Sequence, residues 1–171
     1  MSKILLTFVS FIIVWSVSFS QTLTSFVEEK QANMVYDTAK LLQVPNTSVK
    51  MIPPEYFIPD ENIHGFAHPG SACTIQVIEI PGVSHQTIES AMTDEYISSQ
   101  GYKLIEKKVV QTKTGERAAW FVVQFNTKDV VYERIMLFTG SSNTIWVNAN
   151  YPQELKKLLL PALEAALLSV Q

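Results

Sequence analysis

The sequence is poor in the residue types on which most catalytic and metal sites depend. It contains one cysteine and three histidines in 171 residues, and only 17% of it is charged. A lone cysteine, Cys73, cannot form an intramolecular disulfide. The G-x-S-x-G, Walker A and G-x-G-x-x-G patterns of hydrolases, nucleotide-binding loops and dinucleotide-binding folds do not occur. The sequence therefore predicts no cofactor and names no reaction, although it leaves open whether the protein is an enzyme.

Charge is also scarce at the N-terminus, where Lys3 is the only charged residue before Glu28. Residues 4–17 form an apolar run interrupted only by serine and threonine, and the run ends in Ser18-Phe19-Ser20. This pattern predicts a signal peptide over residues 1–20 that is cleaved after Ser20. The run is shorter than the roughly 20 apolar residues of a membrane-spanning helix, so a retained anchor is the less favoured alternative. We expect export to the periplasm or the exterior of a bacterial cell, with no membrane span in the mature chain.

The chain has no basic patch that would suit a nucleic-acid partner. Sixteen acidic residues against 13 basic ones give a net charge of −3, and the charges are scattered. A nucleic-acid-binding domain normally has a basic face, so we expect no such partner. Residues 21–45 are predicted to be a lead-in, helical or flexible, with a short strand over residues 40–44 as the alternative. Residues 46–171 are long enough for one domain with its own core.

Periodicity predicts the order of elements in that domain. Short strands are expected over residues 48–52, 63–67 and 72–80, followed by one helix over residues 84–100. Four strands with hairpin-like separators follow, over residues 102–112, 117–126, 130–139 and 144–151. Proline favours the first turn of a helix, so a terminal helix is predicted to begin at Pro152 and to be kinked or split at Pro161. The predicted inward-facing residues are Ile88, Ala91, Met92 and Tyr96 in the first helix and Leu155, Leu158, Leu159, Ala162, Ala166, Leu167 and Val170 in the last.

This order predicts an α+β domain in which an antiparallel meander is covered by helices. Residues 118–125 read AAWFVVQF, which is almost continuously apolar. A strand of this kind is typical of a central position buried on both faces. The sequence therefore predicts a three-layer α/β/α sandwich.

The same order of elements resembles the PsbP-like fold, a family of α/β/α sandwiches named for an extrinsic subunit of photosystem II. The resemblance covers residues 46–170. It is carried by the opening strand and the corner VKMIPPEYF at residues 49–57, the strand at 72–81, the first helix, the meander and the Leu-rich terminal helix. Proteins of this family, exported bacterial proteins among them, are mostly accessory or binding partners. The resemblance implies a fold and an accessory role, and it assigns no site residue.

The segment around His64, His68 and Cys73 is the candidate for metal binding or Cys/His chemistry. Residues four apart in a strand point to the same side, but the two histidines would be about 13 Å apart at strand rise. One zinc ion needs its ligands at about 2.0–2.3 Å, so a bend at Gly65 would be required. Surface or loop histidines and a buried thiol are the simpler interpretation. A third histidine, His85, is expected to be exposed at the start of a helix.

Aromatic residues supply the candidate ligand or partner surface. Most are expected in the core, where aromatic side chains contribute much of the buried area. Trp146, however, alternates with apolar neighbours and shares a strand face with Asn148. Tyr56 and Phe57 lie at the Pro-Pro corner. We therefore predict a contact surface that includes Tyr56, Phe57, Trp146 and Asn148.

The leading functional hypothesis is an exported, soluble accessory or binding protein without catalysis, whose ligand or protein partner in the cell envelope is unknown. One alternative is a metal-binding protein or Cys/His-dependent enzyme that uses His64, His68 and Cys73. The other is a structural subunit of an envelope complex.

Overall fold

The computed structural model describes residues 37–171, which belong to a compact unit spanning Tyr36–Gln171. The predicted signal peptide and most of the predicted lead-in lie outside the described residues. Among the helices of residues 37–171, none is long and apolar enough to cross a membrane.

The domain is built on a seven-stranded sheet with the strand order β3-β4-β5-β9-β8-β7-β6, beside a separate β1-β2 pair. Every strand pair is antiparallel. The strands are β1 (Leu42–Gln43), β2 (Lys50–Met51), β3 (Ile58–Asp60), β4 (Gly65–Ala67), β5 (Thr74–Ile80), β6 (Lys103–Gln111), β7 (Arg117–Thr127), β8 (Val130–Thr139) and β9 (Thr144–Pro152). The predicted meander is confirmed, and so is the α+β class. Within the predicted lead-in, the alternative of a short strand over residues 40–44 corresponds to β1, and Val44 beside it is fully buried.

The predicted helix over residues 84–100 is two helices, α1 (His85–Ala91) and α2 (Asp94–Ser99). The second helix begins after Thr93, whose hydroxyl accepts a hydrogen bond of 3.1 Å from the backbone N–H of Tyr96. Such an N-cap begins a new helix and shifts the phase of its apolar face. Tyr96 is consequently 49% exposed while Ile97 is buried, so the predicted stripe through Tyr96 is wrong.

The terminal helix α3 (Lys156–Leu168) begins later than predicted and continues through Pro161. Pro152 is the last residue of β9, and a 3₁₀ turn, Gln153–Leu155, connects it to α3. Leu163 is fully buried in α3, and Leu158 is 73% exposed. The prediction that Leu158 faces the core is therefore wrong, whereas Ala166, Leu167 and Val170 are buried as predicted.

Each face of the sheet carries its own apolar cluster. Residues alternate across β7, so Trp120 belongs to one cluster and Phe121 to the other. On the first face, here called face A, α3 contributes Leu163, and the β1-β2 segment contributes Met51. On the opposite face, face B, α1 and α2 contribute Ile88 and Ile97. The almost continuous apolar sequence of β7 follows from this burial on both faces.

The outer strand β6 is protected by its own lysines. Lys107 lies over the ring of Phe121 at 5.1 Å, and Lys108 lies over the ring of Trp120 at 5.3 Å. The two lysines therefore cover opposite faces of the sheet. The register of β6 against β7 also shifts between Leu104 and Glu106. Charged side chains and bulges are the usual means of protecting a sheet edge from pairing with another chain.

Candidate functional site

Polar side chains gather on face B at the middle of the sheet. Pairing places Gln76 opposite Asn148 and Arg134 opposite Asn150, and alternation along β9 puts Trp146 on the same side. We call these five residues the polar surface. The principal contacts of α1 and α2 are with β6, β7 and β8, whereas β5 and β9 hold most of the polar surface. This part of face B is therefore chemically different from the part beneath the helices.

Trp146 joins the polar surface to the apolar cluster of face B. Its half-buried ring stacks on Phe138 with 5.4 Å between ring centroids and 26° between planes. Its indole Nε1 is buried and has no hydrogen-bond partner in the described part of the chain. Buried tryptophan N–H groups usually find an acceptor. The ring is therefore anchored, and its donor is unused.

Asn148 lies two residues further along β9. The residue is 3% exposed, and its Oδ1 has no hydrogen-bond donor among residues 37–171, just as Trp146 Nε1 lacks an acceptor. Leaving a buried polar group unsatisfied costs about 1–3 kcal/mol. The residue with the unused donor and the residue with the unused acceptor thus lie on the same side of one strand, with their Cα atoms about 6.6 Å apart.

Arg134 is held in place by uncharged neighbours, with no acidic partner among the residues that the structure describes. Its Nε donates to Asn150 Oδ1 at 2.6 Å, and its Nη1 donates to the Tyr102 hydroxyl at 2.8 Å. The guanidinium carbon also lies 5.4 Å from the ring centroid of Tyr102 and 5.2 Å from that of Phe125. Asn150 is fixed in turn by a bond of 3.2 Å from its Nδ2 to the hydroxyl of Thr74.

The chain has only one other arginine, and it is used differently. Arg117 forms a two-pronged ion pair with Glu89, with N–O distances of 2.7 and 3.2 Å. The Arg117 hydrogen bond lowers the pKa of the Glu89 carboxyl. Within residues 37–171, Arg134 takes part in no ion pair. Arg134 is therefore a positioned cation whose charge is not neutralised by a described carboxylate.

The structure separates the aromatic residues that the sequence grouped together. Phe57 is buried in the cluster of face A, whereas Trp146 packs against the cluster of face B. Tyr56 is 73% exposed and has a φ of 67°, the left-handed region that side chains other than glycine seldom adopt. Trp146 and Asn148 share the polar surface, and Tyr56 and Phe57 do not. A binding role for any of the four stays a prediction.

The three residues of the proposed metal site differ in environment. His64 is exposed, and the ring of the half-buried His68 packs on Phe57 with 5.5 Å between centroids. Cys73 is 1% exposed, and burial raises the pKa of its thiol. Throughout the described part of the chain, no three His, Cys, Asp or Glu side chains are grouped so that they could hold a metal ion. Metal binding at His64, His68 and Cys73 stays a prediction that this geometry does not favour.

His85 is buried, and the expectation of an exposed side chain is wrong. It is 4% exposed, its Nδ1 is 2.6 Å from the Gly140 carbonyl oxygen, and its Nε2 is 3.0 Å from Arg117 Nη1. The carbonyl can only accept, so Nδ1 donates and Nε2 accepts from Arg117. The imidazole therefore connects α1 to the β8-β9 turn, which is a structural role.

A second polar group lies on face A, where a groove of about 320 Å³ runs between β6 and α3. Beside it, the buried carboxylate of Glu133 accepts hydrogen bonds from Tyr151 at 2.7 Å, Gln153 at 3.3 Å and Lys156 at 3.1 Å. Burial raises the pKa of Glu133, but the Lys156 and Tyr151 hydrogen bonds and the Lys156 charge outweigh it, so the pKa lies below its ordinary value. The Glu133 carboxylate is thus fully partnered and marks a structural network.

The sequence analysis missed Arg134 and Gln76. The signal for Arg134 is a lone basic residue inside the apolar run of β8, which reads VVYERIMLFT. Without the register, nothing in the sequence distinguishes an arginine that faces solvent from one set beside Asn150.

Comparison with known proteins identifies the fold. No protein-family model matches the chain, and no curated protein sequence matches it. Among solved structures, it is similar to LpqN, described as involved in cell envelope biogenesis of Mycobacterium tuberculosis, with 11% identity, a TM-score of 0.56, and coverage of 72% of this chain and 82% of LpqN. It is also similar to the cyanobacterial PsbP protein, CyanoP, of Synechocystis, with 12% identity, a TM-score of 0.52, and coverage of 80% of this chain and 95% of that one. The predicted resemblance is confirmed: this chain has the PsbP-like fold.

Proposed function

We propose that this protein is an exported accessory protein that binds a ligand or partner in the cell envelope through the polar surface of face B and catalyses no reaction. The observation that carries the proposal is the pair of buried, unpartnered atoms Trp146 Nε1 and Asn148 Oδ1. Folding gains nothing from leaving them unpaired, because each loses its hydrogen bonds to water. A bound molecule that supplies an acceptor and a donor would restore those bonds.

Two further observations support the location and the role. The N-terminal sequence pattern predicts export, and the similar protein LpqN is described as involved in cell envelope biogenesis. The distribution of apolar residues on both faces supports the three-layer α/β/α arrangement that we propose for the domain. In that arrangement α3 covers face A, and the polar surface is the part of face B left for a partner.

Site-specific photocrosslinking tests the proposal. The full chain is expressed in an exporting host with benzoylphenylalanine in place of Ile78, the half-buried neighbour of Trp146 on β5. The matched control carries it in place of Leu158, which is 73% exposed on α3. We expect a defined adduct with the Ile78 variant only, and for a small ligand we expect retained mass in the native mass spectra of both variants. Equal adducts at both positions, or none at either with no added mass, would contradict the proposal.

The subunit alternative predicts a different result in the same experiment. A structural subunit of an envelope complex would give one protein adduct in stoichiometric yield and would co-purify with that protein without irradiation. A binding protein for a small ligand would give added mass and no protein adduct.

A further inference from the structure

We infer that the polar surface binds a peptide C-terminus, with the terminal carboxylate on Arg134 and backbone groups on Asn148 and Trp146. This inference rests on the proposed function and names the chemistry of its ligand. It is carried by the order of three groups along face B: an N–H donor at Trp146 and an acceptor at Asn148, both without a partner among residues 37–171, on β9, and a positioned cation at Arg134 on β8, opposite Asn150.

The guanidinium of Arg134 would select a negatively charged group of the ligand. Its Nε and Nη1 are engaged by Asn150 and Tyr102, and its Nη2 has no partner among residues 37–171. A planar guanidinium held in one orientation is suited to the planar, two-oxygen geometry of a carboxylate. Both its neighbours are uncharged, and so are the aromatic rings of Tyr102 and Phe125 against which it lies. An incoming carboxylate would therefore meet no described acidic side chain already paired with Arg134.

Charge on the adjacent residue does not interfere. Glu133 precedes Arg134 in β8, and alternation directs its side chain to face A, where Lys156, Tyr151 and Gln153 engage it. The single acidic side chain next to Arg134 in sequence is thus on the opposite side of the sheet. Glu133 therefore does not neutralise the positive charge of Arg134 on face B.

Asn148 and Trp146 supply the rest of the recognition. Asn148 Oδ1 needs a donor, and Trp146 Nε1 needs an acceptor. Their Cα atoms are about 6.6 Å apart, which is also the two-residue repeat of an extended peptide. Both atoms are covered in this structure, so neighbouring side chains would have to move aside as the peptide binds. An extended peptide that ends at Arg134 would then offer its last N–H to Asn148 and an earlier carbonyl to Trp146. A bare anion such as phosphate or acetate would satisfy Arg134 and leave both buried atoms unpaired.

NMR titration of the full chain released from an exporting host tests this inference. The probe is N-acetyl-trialanine, followed through the Trp146 indole N–H, the Asn148 side-chain amide and the Arg134 Nε–H signals. The comparison probes are its C-terminal amide, acetate and inorganic phosphate. We expect saturable shifts at all three residues with the tripeptide and at least tenfold weaker binding of each comparison probe. Equal binding of the amide, acetate or phosphate would overturn the inference.

Matched arginine variants separate recognition from folding. Arg134→Lys keeps the charge and loses the planar fork, and we expect it to weaken tripeptide binding at least tenfold. Arg117→Lys, at the arginine already paired with Glu89, should leave binding unchanged. The dispersion of the remaining amide signals reports whether each variant is folded, and Arg134→Gln provides a second folded variant without charge. Equal losses in the Arg117 and Arg134 variants would contradict the inference.

The two proposals fail separately. A photocrosslink at position 78 together with no tripeptide binding would refute the peptide C-terminus and leave the polar surface as a binding site. Neither crosslink, nor retained mass, nor tripeptide binding would refute both.

Discussion

Two buried polar groups of this domain, one on each face of the sheet, have opposite hydrogen-bond balances. On face A, the Glu133 carboxylate has three side-chain donors, from Tyr151, Gln153 and Lys156. On face B, Asn148 Oδ1 and Trp146 Nε1 have no partner among residues 37–171. A buried polar group with all its partners stabilises the fold, whereas one without partners lowers stability. Trp120 Nε1 on face A also lacks a described partner, but only β9 carries an unused donor and an unused acceptor two residues apart on one side, among the described strands. This pairing is what favours face B as the candidate binding surface.

The largest effect is expected where a buried charge loses its counter-ion. Lys156→Met should lower the free energy of unfolding by about 2 kcal/mol, below the 3–5 kcal/mol typical of fully buried pairs, because the Lys156 side chain is 39% exposed. Urea unfolding measures the change. Lys157→Met is the matched control, since its exposed side chain makes no ion pair within residues 37–171. Equal effects of the two variants would show that Glu133 does not need Lys156.

Acid should remove the contribution of Glu133. Its pKa is lowered in the folded state, so its contribution is complete above the ordinary value of 4.5 and is lost as pH falls through the lower folded value. The stability difference between the wild type and Glu133→Gln should therefore shrink as the pH is lowered from neutral to well below 4.5. Urea unfolding at a series of pH values measures it. A difference that stays constant over this interval would contradict the assignment of a depressed pKa.

A pair of asparagine variants tests face B directly. Asn148→Leu removes an unpaired acceptor and should raise the free energy of unfolding by about 0.5–1 kcal/mol. Asn150→Leu removes partners of Arg134 and Thr74 and should lower it by about 1–2 kcal/mol. Thermal and urea unfolding of both variants give the sign. Destabilisation by Asn148→Leu would mean that the Asn148 side chain stabilises the domain. It would contradict the claim that the polar groups of the two faces differ in their hydrogen-bond balance.

The smallest effect is expected at the exposed ion pair. Glu89→Gln should lower the free energy of unfolding by no more than about 0.5 kcal/mol, because the partner side chain of Arg117 is 43% exposed and solvent screens the pair. Urea unfolding at low and high salt measures the contribution of the Glu89–Arg117 ion pair to stability. If Glu89→Gln lowered the free energy of unfolding as much as Lys156→Met does, charge pairing and not burial would determine the size of the loss.

Local pattern predicted the strands because each meander strand is bounded by its own turn signals. It predicted the helices only in part. Ile88 and Met92 pack against the core as predicted, but Thr93 begins a second helix after α1, and a 3₁₀ turn after Pro152 precedes α3. Trp146 and Asn148 were predicted from the polar face of β9, a period-two pattern that the sequence displays. Arg134 could not be predicted, since its role depends on a register that brings residues 134 and 150 together.

The two ends of the sheet are closed to a further strand by different means. The strand at one end, β6, carries Lys107 and Lys108, and its register against β7 shifts between Leu104 and Glu106. The strand at the other end, β3, Ile58–Asp60, is three residues long and contains Pro59, which has no N–H to donate. Short edge strands, proline, lysine and bulges all oppose edge-to-edge pairing, so we expect neither end of this sheet to accept a strand from a second copy of the chain.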